Sequence, residues 1–121
     1  MTQPTKNQEN KSMEEKVFSI SEYIAILNAE LRKCAAKIIG EVGKVDLYPS
    51  GHVYFSLRDE KDQSVINCII WKSKYELFGI KIKEGMKIIA TGRPDIYKQT
   101  GRLSFIAETI EFAGEGLLKK E

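Results

Sequence analysis

A mainly β domain, a five-stranded barrel behind one N-terminal helix, is predicted by three observations in this 121-residue chain. From Lys37 onward the apolar period changes from helical to alternating. β-Branched residues become frequent at the same point. Gly, Pro and Asp punctuation then divides the remainder into five strand-length segments, with one long connection between the third and fourth. Five antiparallel strands, two of them long, with a helical insert after the third, match the OB-fold, a partly open Greek-key barrel. A small mixed sandwich is the competing architecture.

The elements follow in order. Residues 1–16 show no apolar periodicity, and their three lysines and three glutamates cancel, which predicts a disordered polar tail. Ser19-Ile20-Ser21-Glu22 has the spacing of a capping box, with Ser19 as N-cap and Glu22 reaching back. Tyr23, Ile24, Leu27 and Leu31 follow at helical spacing, so a helix over about 21–34 covers one end of the barrel. Strands fall near 37–47, 52–58, 64–71, 86–97 and 102–112. Their connections are Tyr48-Pro49-Ser50-Gly51, the turn-forming Asp59-Glu60-Lys61-Asp62-Gln63, a short helix around 73–79, and Lys98-Gln99-Thr100-Gly101. Gly40, Gly43 and Gly92 lie inside strands, where glycine marks a bulge or the bend that closes a small barrel. Pro94, inside the fourth strand, requires an edge or a bulge. The folded domain is placed at 17–116, with 117–121 as a C-terminal stub.

Composition narrows the chemistry. With 42% hydrophobic and 30% charged residues, the chain has enough apolar surface for one core and too much for a disordered polymer. The polar N-terminus lacks the apolar stretch of a secretory signal, and no apolar run approaches the ~20 residues of a membrane span. The cytoplasm is the expected compartment, and no membrane partner is expected. Cys34 and Cys68 lie among apolar neighbours and are predicted to be small buried hydrophobes rather than a disulfide. One histidine, His52, cannot complete a structural Cys/His zinc site, and it lacks the pattern of a nucleophile and an orienting carboxylate that a general base needs. Gly114-Glu115-Gly116 lacks the Lys and Ser/Thr of a phosphate loop. No cofactor or metal is implied. The net charge is +2, yet Lys72, Lys74, Lys81, Lys83 and Lys87 share a short stretch with only Glu76 and Glu84 as acids, so one side is predicted to be basic.

The second strand carries the most telling line. Side chains alternate across a strand, so Val53, Phe55 and Leu57 point to the core while His52, Tyr54, Ser56 and Arg58 point outward. On the third strand Ile66, Cys68 and Ile70 join the core, which places Asn67 and Trp71 beside that outward line. Single-stranded nucleic acid needs ring faces on which bases stack, worth about 1–3 kcal/mol each, and cations along the backbone path. Tyr54 and Trp71 offer the faces; Arg58, Lys72 and Lys74 offer charge. OB-folds bind on strands 2 and 3, with the loops between strands 1–2 and 4–5 closing over the ligand. Those loops hold Tyr48 and His52, then Tyr97, Lys98 and Arg102. The plainer alternative is that Tyr54 and Trp71 cover a barrel end.

Ser50-Gly51-His52-Val53-Tyr54-Phe55-Ser56-Leu57-Arg58-Asp59 resembles the SGHxYFSLKD segment of the exonuclease VII large subunit. The resemblance extends through Phe18-Ser19-Ile20-Ser21-Glu22, Gly40-Glu41-Val42, Cys68 with Trp71, Glu84-Gly85-Met86, Gly92, Tyr97 with Gly101, and Ala113-Gly114-Glu115-Gly116. It implies the N-terminal OB domain of an enzyme that degrades single-stranded DNA to oligonucleotides with a small partner subunit. Five residues follow Gly116, so that family's catalytic region and its helical segment are expected to lie outside this chain. The expected partners are therefore single-stranded DNA and other exonuclease VII subunits or a separate catalytic part. RNA stays open, because stacking platforms accept either polymer. A protein-docking OB module is the alternative function, as is a stand-alone single-strand binder. A nuclease acting through these residues alone conflicts with the single histidine and the lack of clustered acids.

Overall fold

The computed structural model describes residues 15–114. All but the last two residues of the predicted polar tail, and the whole 117–121 stub, lie outside the described residues. The first helix, α1 (Ile20–Leu31), starts where the capping box places it. The Ser19 hydroxyl accepts from the Glu22 N–H at 3.1 Å, and the Ser19 N–H donates to Glu22 Oε1 at 2.8 Å, satisfying two N–H groups that a helix start leaves open. A 3₁₀ turn (Arg32–Cys34) follows. Five strands come next: β1 (Ala36–Leu47), β2 (Val53–Arg58), β3 (Val65–Ile70), β4 (Lys87–Ile96) and β5 (Leu103–Phe112), with α2 (Lys72–Phe78) between β3 and β4.

The sheet closes in the order β1-β2-β3-β5-β4. Four of the pairings are antiparallel, as expected, but β3 and β5 run parallel, joined through Cys68↔Phe105 and Ile69↔Ile106. The reason is the connection. The chain leaves β3, passes through α2 and returns up β4, so β5 re-enters beside β3 in the same direction. β1 serves two neighbours, β4 with its first half and β2 with its second, and a register shift between Val42 and Val45 marks the change. Gly43 lies in that shift, against the Ser56 hydroxyl.

Gly92 lies at the other shift, between β4 and β5. A Cβ there would run into the Ile106 carbonyl, so only glycine lets the strands approach that closely. Gly40 carries no bulge, and its constraint is the Arg58 backbone, 3.0 Å from where a Cβ would stand. Pro94 meets its requirement at an edge. β1 pairing with β4 stops at Ala36↔Gly92, so Pro94 has β5 on one side and no strand on the other.

The core contains the residues that alternation selected: Val53, Phe55 and Leu57 from β2, Cys68 and Ile70 from β3, with Ile66 packed at its margin. Val42, Ile82, Ile88, Ala90, Phe105, Ala107 and Ile110 complete it. Two expectations fail. Tyr23 is exposed, because α1 turns Ile24 inward, with Leu27 and Leu31 half-buried beside it, and leaves Tyr23 near Phe18 instead. Cys34 is exposed as well. It ends the 3₁₀ turn outside the barrel, where Ala35 and Ala36 are exposed too. No helix among the described residues is long and apolar enough to cross a membrane.

Candidate nucleic-acid interface

One row of paired residues crosses all five strands. Asp46 on β1 faces Tyr54 on β2, Tyr54 faces Ile69 on β3, Ile69 faces Ile106 on β5, and Ile106 faces Arg93 on β4. All five line an open groove of about 850 Å³ on the outside of the barrel. Ile69 and Ile106 give it an apolar floor, and Asp46 and Arg93 stand at the two ends of the row. The parallel β3–β5 pairing is what makes this floor continuous.

Aromatic rings rise around the floor. The Tyr48 and Tyr54 ring centroids are 4.4 Å apart, and His52 meets Trp71 edge-on at 4.8 Å. Tyr97 joins them from the β4–β5 turn. Trp71 is 39% exposed and Tyr97 59%, which leaves ring surface free for a base to stack on. The turns that carry these rings are held by the backbone. Gly51 donates to the Tyr48 carbonyl at 2.7 Å, and the Tyr97 N–H donates to the Arg102 carbonyl at 3.0 Å. Gly51 has φ +92°, a conformation that side chains other than glycine's disfavour, and the Lys72 alkyl chain lies against it. His52 Nδ1 accepts the Lys72 backbone N–H at 3.0 Å. That bond leaves Nε2 as the donor of the neutral ring and ties the β1–β2 turn to the start of α2.

The sequence-predicted residues divide between the groove and its surroundings. His52, Tyr54, Asn67, Trp71, Tyr97 and Arg102 line it. Arg58, Lys72, Lys74 and Lys98 do not. Arg58 faces a smaller pocket of about 190 Å³ at the far end of β2, with its guanidinium 3.7 Å from Glu41. Lys74 Nζ is 3.1 Å from Glu108, and Lys87 Nζ 3.2 Å from Glu60, so part of the lysine run is neutralised by β5 and the β2–β3 hairpin. Lys72 acts through its backbone on His52, and Lys98 sits in the turn beyond Tyr97.

The groove also uses residues that the sequence reading passed over: Lys44, Arg93, Thr100, Ser104 and Ile106. Ile106 is the instructive one. It lies between two core residues, Phe105 and Ala107, and alternation would have turned it outward had the β5 register been known. Lys44 stands 3.8 Å from Asp46, whereas Arg93 and Arg102 have no carboxylate within 4 Å among the described residues. Beneath the floor, burial pushes the Cys68 thiol up to about 12, so it behaves as an apolar filler. Among the described residues no three His, Cys, Asp or Glu side chains stand together as a metal site. The arrangement offers stacking, hydrogen bonding and the positive charge of Lys44, Arg93 and Arg102, set against the carboxylates of Asp46 and Asp95.

Residues 16–111 match the model of the OB-fold nucleic acid binding domain. The chain belongs to that family. Its sequence is also similar to the N-terminal region of the exodeoxyribonuclease 7 large subunit of several bacteria. The match to the Mesoplasma florum protein is 39% identical over 113 residues, covering 89% of this chain and 28% of that protein. The match to Nautilia profundicola is 42% identical over 81 residues, 67% of this chain and 18% of that protein, and the match to Caulobacter sp. 34% over 103 residues, 84% and 19%. The chain therefore spans less than a third of the length of these relatives. A chain in the crystal structure of the S. pombe Stn1-ten1 complex superposes with a TM-score of 0.54 at 14% identity, over 67% of this chain and 59% of that one. That likeness is one of fold alone.

Proposed function

We propose that this OB domain binds single-stranded DNA along the groove over β2, β3 and β5, and that it serves as the substrate-binding part of an exodeoxyribonuclease. One observation carries the reading. Five rings, those of Tyr48, His52, Tyr54, Trp71 and Tyr97, surround an apolar floor beside the guanidiniums of Arg93 and Arg102, which have no carboxylate within 4 Å among the described residues. Stacking supplies affinity that tolerates any base, and the cations meet the phosphates. The name shared by the relatives, an exodeoxyribonuclease large subunit, supports DNA as the polymer and a nuclease as the setting. The other partner is then the catalytic part of that enzyme, with its further subunits, in the cytoplasm.

The test is a Trp71 fluorescence titration with an oligo-dT strand at two salt concentrations, since Trp71 is the only tryptophan. Quenching at low salt that weakens as salt rises is the expected result. The two groove cations with no carboxylate within 4 Å among the described residues, Arg93 and Arg102, at about −0.7 each predict a log–log slope of about −1.4. A folded protein whose Trp71 emission ignores the strand at low salt would overturn the reading and favour a protein-docking module. A parallel titration with oligo-U decides between DNA and RNA.

A further inference from the structure

The side chain of Asn28, on the inner face of α1, makes a paired contact with the barrel. Its Nδ2 donates to the Ile96 carbonyl at 3.0 Å, and its Oδ1 accepts the Ile96 N–H at 2.8 Å. These are the only side-chain hydrogen bonds between α1 and the strands among the described residues. Their partner lies at a weak point of the sheet. β1 has left β4 at Gly92, so the last four residues of β4 have β5 on one side only. In an antiparallel pair, opposed residues alternate between exchanging hydrogen bonds and pointing their peptide groups away. Tyr97 bonds to Arg102 on the β5 side, so Ile96, opposite Leu103, turns its N–H and carbonyl toward the side β1 has vacated. Pro94, two residues back, offers no N–H to that side. The Asn28 amide therefore stands in for one residue of the missing strand and satisfies the one complete peptide position that the edge would leave open.

Ile96 is the last residue of β4, and the turn that begins at Tyr97 forms one wall of the groove. We infer that Asn28 is a positioning residue for nucleic-acid binding: it anchors the base of the β4–β5 hairpin and so holds Tyr97 and Arg102 against the groove. The inference rests on the proposed single-strand binding for its consequence, while the anchoring itself can be measured without any ligand.

The experiment uses the full chain in two arms. In the first, amide hydrogen exchange is compared between the native protein and Asn28→Ala. The expected result is faster exchange at Ile96 and at 97–102, with β2 and β3 unchanged. Exchange that is unchanged, or faster everywhere alike, would overturn the anchoring. In the second arm, labelled oligo-dT is titrated into Asn28→Ala, Tyr97→Ala, Trp71→Ala and the double variants. Asn28→Ala is expected to weaken binding roughly fivefold, the effect of about one net hydrogen bond. Added to Tyr97→Ala it should cost little more, and added to Trp71→Ala it should multiply. Equal multiplication in both backgrounds would overturn the positioning role. If native protein fails to bind oligo-dT while the exchange arm gives its expected result, the functional reading falls and the anchoring stands. Should Asn28→Ala not fold, Asn28→Asp keeps the acceptor for the Ile96 N–H and is carried through both arms with the same criteria.

Discussion

The two ends of β2 carry the same kind of outward residue and use it differently. At the first end, Tyr54 sits over the shared row of five strands, with Tyr48 against it and His52 and Trp71 alongside. At the other end, four residues on and on the same face, Arg58 is 3.7 Å from Glu41 beside a small pocket whose exposed apolar neighbours are Ile39 and Val65. The hairpin there is built for turning. Asp59 accepts from the N–H groups of Lys61 and Asp62, and Asp62 accepts from both the N–H and the hydroxyl of Ser64. Those bonds hold the Asp62 carboxyl below its usual range, the Ser64 hydroxyl foremost. Alternation along a strand decides which face a side chain takes. Where along that face a site forms is decided by the neighbours, here by the strand order that brings β5 beside β3.

The sharpest way to break this comparison is to truncate both ends. Tyr54→Ala should lower affinity for oligo-dT about tenfold, in line with the 1–3 kcal/mol of a lost stacking partner. Arg58→Ala should change it less than about twofold, because an exposed guanidinium shared with a carboxylate contributes little. Anisotropy of a labelled strand reads both. Comparable losses would extend the site along all of β2 and return Arg58 to it. Charge gives a smaller contrast. Arg102→Ala should reduce the salt slope by about 0.7 and weaken binding to every sequence alike. Lys74→Ala should leave the slope where it was, since Glu108 occupies that ammonium at 3.1 Å. A slope that falls in Lys74→Ala as well would mean that the bound strand displaces Glu108 and continues past the β5 edge.

Much of the fold was legible because it rests on local rules. The capping box marked the start of α1, alternation separated Phe55 from Tyr54, and Asp and Gly turns set the strand ends. The rings of the groove were legible for the same reason, since aromatic side chains on an outward face are conspicuous. What was not legible depends on partners distant in sequence. Arg93 and Ile106 reach the groove through β4–β5 and β3–β5 pairing, which no local pattern encodes. Asn28 reads as one polar residue in a helix, and its role exists only because β1 begins opposite Gly92 and leaves the last residues of β4 without a neighbour on that side. Lys74, on α2, reads as a free cation, and only the fold puts Glu108 of β5 beside it.

The cysteines repeat that lesson at the scale of single atoms, and they supply the smallest effect. Both have alanine or isoleucine neighbours in sequence, yet Cys34 is exposed at a turn and Cys68 is 1% exposed beneath the groove. Burial raises the Cys68 thiol from 9.0 to about 12, because the thiolate loses its hydration there. In the unfolded chain the same thiol ionises near its ordinary value. Between the two values the folded state holds a proton that the unfolded state has released, so the thiol's contribution to stability is complete below about pH 9. It then declines by up to about 1.4 kcal/mol per pH unit as pH rises toward 12. Urea titrations from pH 8 to 11 should show this decline, and Cys68→Ala should remove it while lowering stability at pH 8 for the lost volume. A thiol reagent at pH 8 should label Cys34 and spare Cys68 in the native protein, with or without a bound strand. Labelling of Cys68 that a strand suppresses would show that the floor between β3 and β5 opens before the strand arrives, and the groove end of β2 would then be the more mobile of the two.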